Sequence, residues 1–237
     1  MVKSSKYAIL SFSGGLDSTS LFINLLYHNF NVQCITFDYG QNHIIEIERA
    51  KLNIDYLNGS GFGSRLSHKI VNIKDAFNPK GSSLFDNSTD VPTGHYKDSS
   101  MLSTFVPNRN AIFTSIIFSY ALSWSKALED AQIFFSLGCH SGDHAIYPDC
   151  RPEFYRKLIE SLKIGNWGGD NIEEYMPYIN YTKADILTET LPFIEKLGLH
   201  YKDIYKNTNT SYSPNKDGAS PGDTGSDIER ILAFKEV

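Results

Sequence analysis

The sequence predicts an α/β fold, a mostly parallel sheet covered by helices on both faces. Two observations carry this. Short runs rich in β-branched, aliphatic and aromatic residues recur at 7–12, 32–37, 69–73 and 132–137. Longer stretches between them place apolar residues at helical spacing, clearest at Ile47, Ala50, Ile54 and Leu57. Strands that alternate with helices pair in parallel, because the crossover carries the chain back to the same end of the sheet. Ligands of such sheets bind beyond the carboxyl ends of the strands. The segments that follow strands are therefore the first places to look for function.

The first strand (7–12) is followed by Ser13-Gly14-Gly15-Leu16-Asp17-Ser18-Thr19, then by a helical pattern through Leu21, Phe22, Leu25 and Leu26. A glycine-rich turn between a strand and a helix N-terminus is an anion site, since its N–H groups are unpaired and the helix dipole favours negative charge. Gly14 and Gly15 let the backbone approach a phosphate closely. Ser13, Ser18 and Thr19 add hydroxyl donors. Asp17 is unsuited to a phosphate but suited to a Mg²⁺ that travels with a nucleotide. The plainer reading is a turn with a Ser or Asp cap.

The second strand (32–37) leads to Asp38-Tyr39-Gly40-Gln41-Asn42-His43 and a helix over 43–57. After the third strand (69–73), residues 77–103 are rich in Gly, Pro, Ser, Asp and Asn and read as a lid or a disordered loop. A helix is predicted over 110–126. Its apolar core is interrupted by Thr114, Ser115, Ser119 and Ser123, which suits a buried helix and not a membrane span. The fourth strand (132–137) runs into 138–149. Residues 13–18, 38–43 and 138–149 all follow strands, so all three are expected at one rim. A second loose region is expected over 208–226.

At 237 residues and 41% apolar composition, the chain suits one domain spanning 1–237 with a sizeable core. A net charge of −5 argues against a broad basic face that grips nucleic acid. Cys34, Cys139 and Cys150 form no pattern, and the N-terminus lacks a signal-peptide shape. The expected setting is reduced and cytoplasmic, with no membrane and no nucleic-acid partner.

Individual residues carry two readings each. Arg109 is a permanent fork for phosphate or carboxylate, or the partner of a structural carboxylate. Asn110 is a site residue or a helix cap. Lys183 is a point charge for a β- or γ-phosphate, or a solvated lysine at a helix start. His43 is a polar site residue or merely solvated. Tyr39-Gly40-Gln41 forms a ligand wall or a simple connection. Cys150 is not favoured as a nucleophile, since no base is placed for it.

The run SGGxDS(T/S) after a strand resembles the pyrophosphate-binding loop of the N-type ATP pyrophosphatases, and no Walker A pattern is present. Four further segments are similar to one branch, the 7-cyano-7-deazaguanine synthase (QueC-like) family. They are Phe37 to His43 with Glu46, Val106-Pro107-Asn108-Arg109-Asn110, Gly138 to Asp143 with Tyr147 to Phe154, and Tyr181 to Ile186. The resemblance covers nearly the whole chain. It implies a Rossmann-like, HUP-type fold and adenylation of the carboxylate of 7-carboxy-7-deazaguanine by ATP and Mg²⁺. Ammonia then gives the amide, and a second ATP gives the nitrile.

On that resemblance, Ser13, Gly14, Gly15, Asp17, Ser18 and Lys183 hold pyrophosphate and Mg²⁺, with Thr19, Tyr39 and Gln41 also toward the nucleotide. Asp17, Arg109 and Lys183 are the catalytic set. His43, Arg109, Asn110, Asp143, Asp149 and Arg151 face the substrate. A carboxylate at Asp143 or Asp149 accepts two hydrogen bonds at once and so suits a guanine-like edge, although either is equally a turn residue.

The family's four zinc cysteines align with Ser211, Pro221, Thr224 and Asp227, none of them cysteine. No zinc is expected, and the tail (208–237) is expected to be fastened by other contacts or left mobile. The loss opens a second reading, a QueC-like antiviral-defence (CBASS-type) enzyme that transfers the activated deazaguanine to an amine of a partner protein. A third is a nucleotide-binding module without catalysis. A tRNA-thiolation role is disfavoured by the absence of a CxxC pair and by the acidic charge. A homodimer is expected.

Overall fold

The computed structural model describes residues 4–41, 45–77, 104–143, 147–211, 215, 220–222 and 224–237. Five strands form one sheet: β1 (Lys6–Ser11), β2 (Phe30–Asp38), β3 (Leu66–Asn72), β4 (Gln132–Ser136) and β5 (Ile172–Glu174). All pair in parallel, in the order β3-β2-β1-β4-β5. The four strands expected from the sequence are present with ends shifted by up to three residues. The fifth is an addition.

The helices are α1 (Leu16–Tyr27), α2 (Ile45–Leu57), α3 (Arg109–Ala127), α4 (Pro152–Ile164), α5 (Lys183–Lys196), α6 (Tyr201–Tyr205) and α7 (Gly225–Glu236). Strand side chains alternate between faces, and the core divides accordingly. Ala8, Leu10, Val32 and Cys34 join α1, α2 and α5 in one cluster, which reaches α6 and α7 through Ile204, Tyr205 and Ala233. Ile9, Ile35, Ile133 and Phe135 join α3 and α4 in the other. Both faces are covered, as a parallel sheet requires.

The chain leaves β1 toward β2 on one side, while β4 lies on the other side of β1. The loops after β1 and β4 therefore diverge, and a crevice opens between them. That switch point is where α/β sheets of this order bind ligands. Among the described residues, no helix is long and apolar enough to cross a membrane.

The tail corrects one expectation. Much of the described part of 208–226 is packed: Thr208, Asn209, Ser211, Thr224 and Ser226 are buried, while Asn215, Ser220 and Pro221 are exposed. Residues 78–103, most of the expected lid, lie outside the described residues, as does His43.

Candidate active site

The three post-strand segments meet as expected, around a cleft of about 220 Å³ at the carboxyl end of the sheet. Ser13, Asp17 and Ser18 come from the first, Tyr39 and Gln41 from the second, Gly138 and Cys139 from the third. Arg109 and Asn110 complete the wall from the start of α3.

The first turn is fixed by backbone contacts. Gly14 has φ +82°, and a Cβ there would lie 2.5 Å from the Glu46 carbonyl oxygen and 2.8 Å from the Ala50 nitrogen. Gly138 presses against the other side: its Cβ would lie 3.0 Å from the Ser18 nitrogen. Only glycine allows these approaches. The first turn of α1 is thus wedged between α2 and the β4 loop. No side chain caps α1 at Gly15, so its leading N–H groups are left for an anion. Ser13 Oγ stands 3.0 Å from Ser18 Oγ and accepts the Gly15 N–H at 3.2 Å. Thr19 departs from the expected role: it is fully buried within α1 and does not line the cleft.

Lys183 is brought to this turn by a capping box. Thr182 accepts from the Asp185 N–H at 3.2 Å while Asp185 accepts the Thr182 N–H at 2.8 Å, and this starts α5 with Lys183 as its first residue. Ser141 N–H and Oγ both donate to the Tyr181 carbonyl, at 2.8 and 2.7 Å, tying the β4 loop to the same point. The Lys183 amine is buried. It lies 2.7 Å from His140 Nε2, 3.1 Å from Glu229 Oε2 and 3.5 Å from Asp17 Oδ2. The reading of Lys183 as a solvated lysine is therefore overturned.

Burial alone would push the Asp17 carboxyl up. The Lys183 ammonium, then His140, outweigh that and hold it below its ordinary value. Asp17 Oδ1 is buried and has no hydrogen-bond partner among the described residues. An orphaned carboxylate oxygen beside an anion cradle fits a Mg²⁺ held by one carboxylate and by phosphates. The sequence singles out neither His140, which falls inside the Gly138-to-Asp143 segment, nor Glu229. Only the burial of Lys183 gives them meaning.

At the far end of the cleft, aromatic rings form the wall. Phe37 and Phe113 stack at 4.2 Å between centroids, with Tyr39 edge-on to Phe113 at 5.4 Å. Gln41 spends its amide on its own turn, accepting the Tyr39 N–H at 3.0 Å and donating to the Phe37 carbonyl at 3.2 Å. It shapes the wall while Gly40, at φ +82°, turns the chain. Glu46, from the first turn of α2, lines the cleft near Arg109. Burial raises the Glu46 carboxyl from 4.5 to about 7, against the pull of the Arg109 charge. Burial raises the Tyr39 hydroxyl to about 12. Arg109 thus lines the cleft with the Glu46 carboxyl near it.

Asn110 does not cap α3; Asn108 occupies the N-cap position, at φ +60°, and its side chain makes no capping hydrogen bond there. Asn110 Nδ2 instead donates to the Asp149 carbonyl at 3.2 Å and to Cys150 Sγ at 3.4 Å, joining two of the quoted motifs. Asp149 is buried in a short turn, Pro148–Cys150. Arg151 is exposed at the N-cap of α4 and does not line the cleft. The Asp143 backbone closes the turn Ser141–Asp143; its side chain lies outside the described residues.

Comparison with known proteins matches residues 7–237 to the family described as "Queuosine biosynthesis protein QueC". The 7-cyano-7-deazaguanine synthase of Pseudoalteromonas translucida is 38% identical over 227 residues, covering 96% of this chain and 93% of that protein. That of Psychromonas ingrahamii is 38% identical over 232 residues, covering 97% and 93%. That of Methanoregula boonei is 36% identical over 230 residues, covering 97% and 94%.

Proposed function

The chain belongs to the QueC family, and from that premise we propose that it adenylates the carboxylate of 7-carboxy-7-deazaguanine and carries it through the amide to the nitrile. The relatives named 7-cyano-7-deazaguanine synthase support an ATP-dependent ligase that forms a carbon–nitrogen bond. The observation that carries the chemistry is the pairing of an uncapped α1 N-terminus with a buried Lys183–Asp17 contact at its edge.

In this reading a substrate carboxylate oxygen attacks the α-phosphorus of ATP, and the bond to the β-phosphate oxygen breaks. Pyrophosphate leaves into the N–H groups of the first turn, with Lys183 neutralising its charge. Mg²⁺, when bound, would supply further neutralisation, and Asp17 would hold it through Oδ1. Ammonia then attacks the acyl carbon, AMP departs with the acyl oxygen, and a proton is lost to leave the amide. A second adenylation on the amide oxygen, followed by loss of AMP and of both amide protons, leaves the nitrile. Arg109 orients the carboxylate as a fork. The aromatic wall of Phe37, Tyr39 and Phe113 takes the flat ring system.

Incubating the protein with ATP, Mg²⁺ and 7-carboxy-7-deazaguanine, with and without ammonia, tests this by product mass. AMP, pyrophosphate and the nitrile are expected, and Asp17→Ala should abolish them. Release of ADP in place of AMP would overturn the reading.

A further inference from the structure

The tail is held by a carboxylate where the family resemblance implies a metal. Zinc does not fit Ser211, Pro221, Thr224 and Asp227. A structural zinc takes thiolate or imidazole ligands; these residues offer two hydroxyls, a proline and one carboxylate. Both hydroxyls already donate to that carboxylate: Ser211 Oγ at 3.1 Å and Thr224 Oγ1 at 2.7 Å, each to Asp227 Oδ2. The Thr224 N–H adds a third bond at 3.2 Å, and Ser220 Oγ donates to Asp227 Oδ1. Asp227 is fully buried, and these donors answer its charge.

This knot reaches the phosphate-binding turn. Asn209 Nδ2 donates to the Ser211 carbonyl at 3.0 Å, and the Asn209 N–H donates to the Gly14 carbonyl at 3.1 Å. One helical turn beyond Asp227, Arg230 clasps the same segment. Its guanidinium donates to Thr208 Oγ1, Thr210 Oγ1 and the Tyr205 carbonyl at 2.7, 2.9 and 2.8 Å. Gly14 is thereby pinned from the tail on one side and by α2 on the other.

We propose that Asp227 anchors the tail in place of a metal and is a positioning residue for the phosphate-binding turn, acting through Ser211 and Asn209 on the Gly14 carbonyl. The inference rests on reading that turn as the ATP site. The test compares the full-length protein with Asp227→Asn and Ser211→Ala. It measures zinc content, Mg²⁺-ATP affinity by calorimetry, and hydrogen exchange of the Asn209 amide.

The wild type should carry no stoichiometric zinc and keep its melting temperature with phenanthroline. Asp227→Asn should weaken ATP binding about tenfold, the loss of one hydrogen-bonded charge contact. It should also speed exchange at Asn209 while β1 amides stay protected. Ser211→Ala should move both readouts the same way by less, and it decides the matter if Asp227→Asn does not fold. Stoichiometric zinc in the wild type, or Asn209 exchange unchanged in the folded variants, overturns the proposal. A wild type that binds no ATP overturns the reading of the site instead, and the Asn209 exchange still judges the anchor.

Discussion

Lys183 Nζ lies 3.1 Å from Glu229 Oε2, a bond that joins the first residue of α5 to the last helix of the chain. Lys183 also stands 3.5 Å from Asp17. The Lys183 cation beside the first turn of α1 is therefore held between two carboxylates, from α1 and α7. A buried ammonium persists only when its charge is answered. Its removal leaves two carboxylates facing a site built for a cation.

Lys183→Met should accordingly lose ATP-dependent AMP release by at least about a hundredfold, the usual cost of one donor at developing phosphate charge. It should also lose about 3 kcal/mol of stability, because Asp17 and Glu229 remain unanswered. AMP release and denaturant unfolding measure the two effects. A variant as active as the wild type would mean that the amine serves packing alone.

The glycines make a separable prediction. Gly14→Ala meets backbone on α2 at 2.5 Å and needs φ +82°, so it should cost about 2–4 kcal/mol in unfolding free energy. Gly138→Ala keeps an ordinary φ but crowds the Ser18 nitrogen at 3.0 Å. It should lower ATP affinity more than stability. Chemical denaturation and ATP titration distinguish the two variants.

Much of this was legible in the sequence, for physical reasons. Strand periodicity and the Gly-rich run place β1, the turn and α1, because burial on two faces demands continuous apolar strands. β5 was not legible: it has three residues, two of them glutamates, and pairs only at the edge of β4. Lys183 and Arg109 were found by charge type. Their pairing with His140, Glu229 and Glu46 was not legible, since nothing in a linear pattern shows which charge is buried beside which. Ser, Thr and Asn in the tail read as loop residues, whereas here the hydroxyls of Ser211, Thr224 and Thr208 are spent on one buried carboxylate and on Arg230, and the Asn209 amides on the Ser211 and Gly14 carbonyls.

Cys150 lines the cleft but accepts a hydrogen bond from Asn110 and is buried. Adenylation needs no thiolate. Cys150→Ser should therefore retain turnover within about tenfold, the loss of one modest packing and hydrogen-bond contact. Steady-state kinetics test this, and a complete loss with native folding would restore a covalent role.

Glu46 gives the protein a pH signature. Burial lifts its carboxyl from 4.5 to about 7, Arg109 notwithstanding. An acid whose value is higher in the folded state holds its proton there more tightly than in the unfolded chain. Its contribution to stability is full below pH 4.5 and is lost as the pH climbs through about 7. Glu46→Gln stays neutral throughout and lacks this slope. The wild type should therefore lose stability relative to Glu46→Gln between pH 5 and 8, by at most about 3 kcal/mol at about 1.4 kcal/mol per pH unit. Urea unfolding of both proteins at the two pH values measures the difference. Parallel curves would show that the Glu46 carboxyl is ionised and solvated in the folded protein, and that Arg109 faces the cleft without a protonated neighbour.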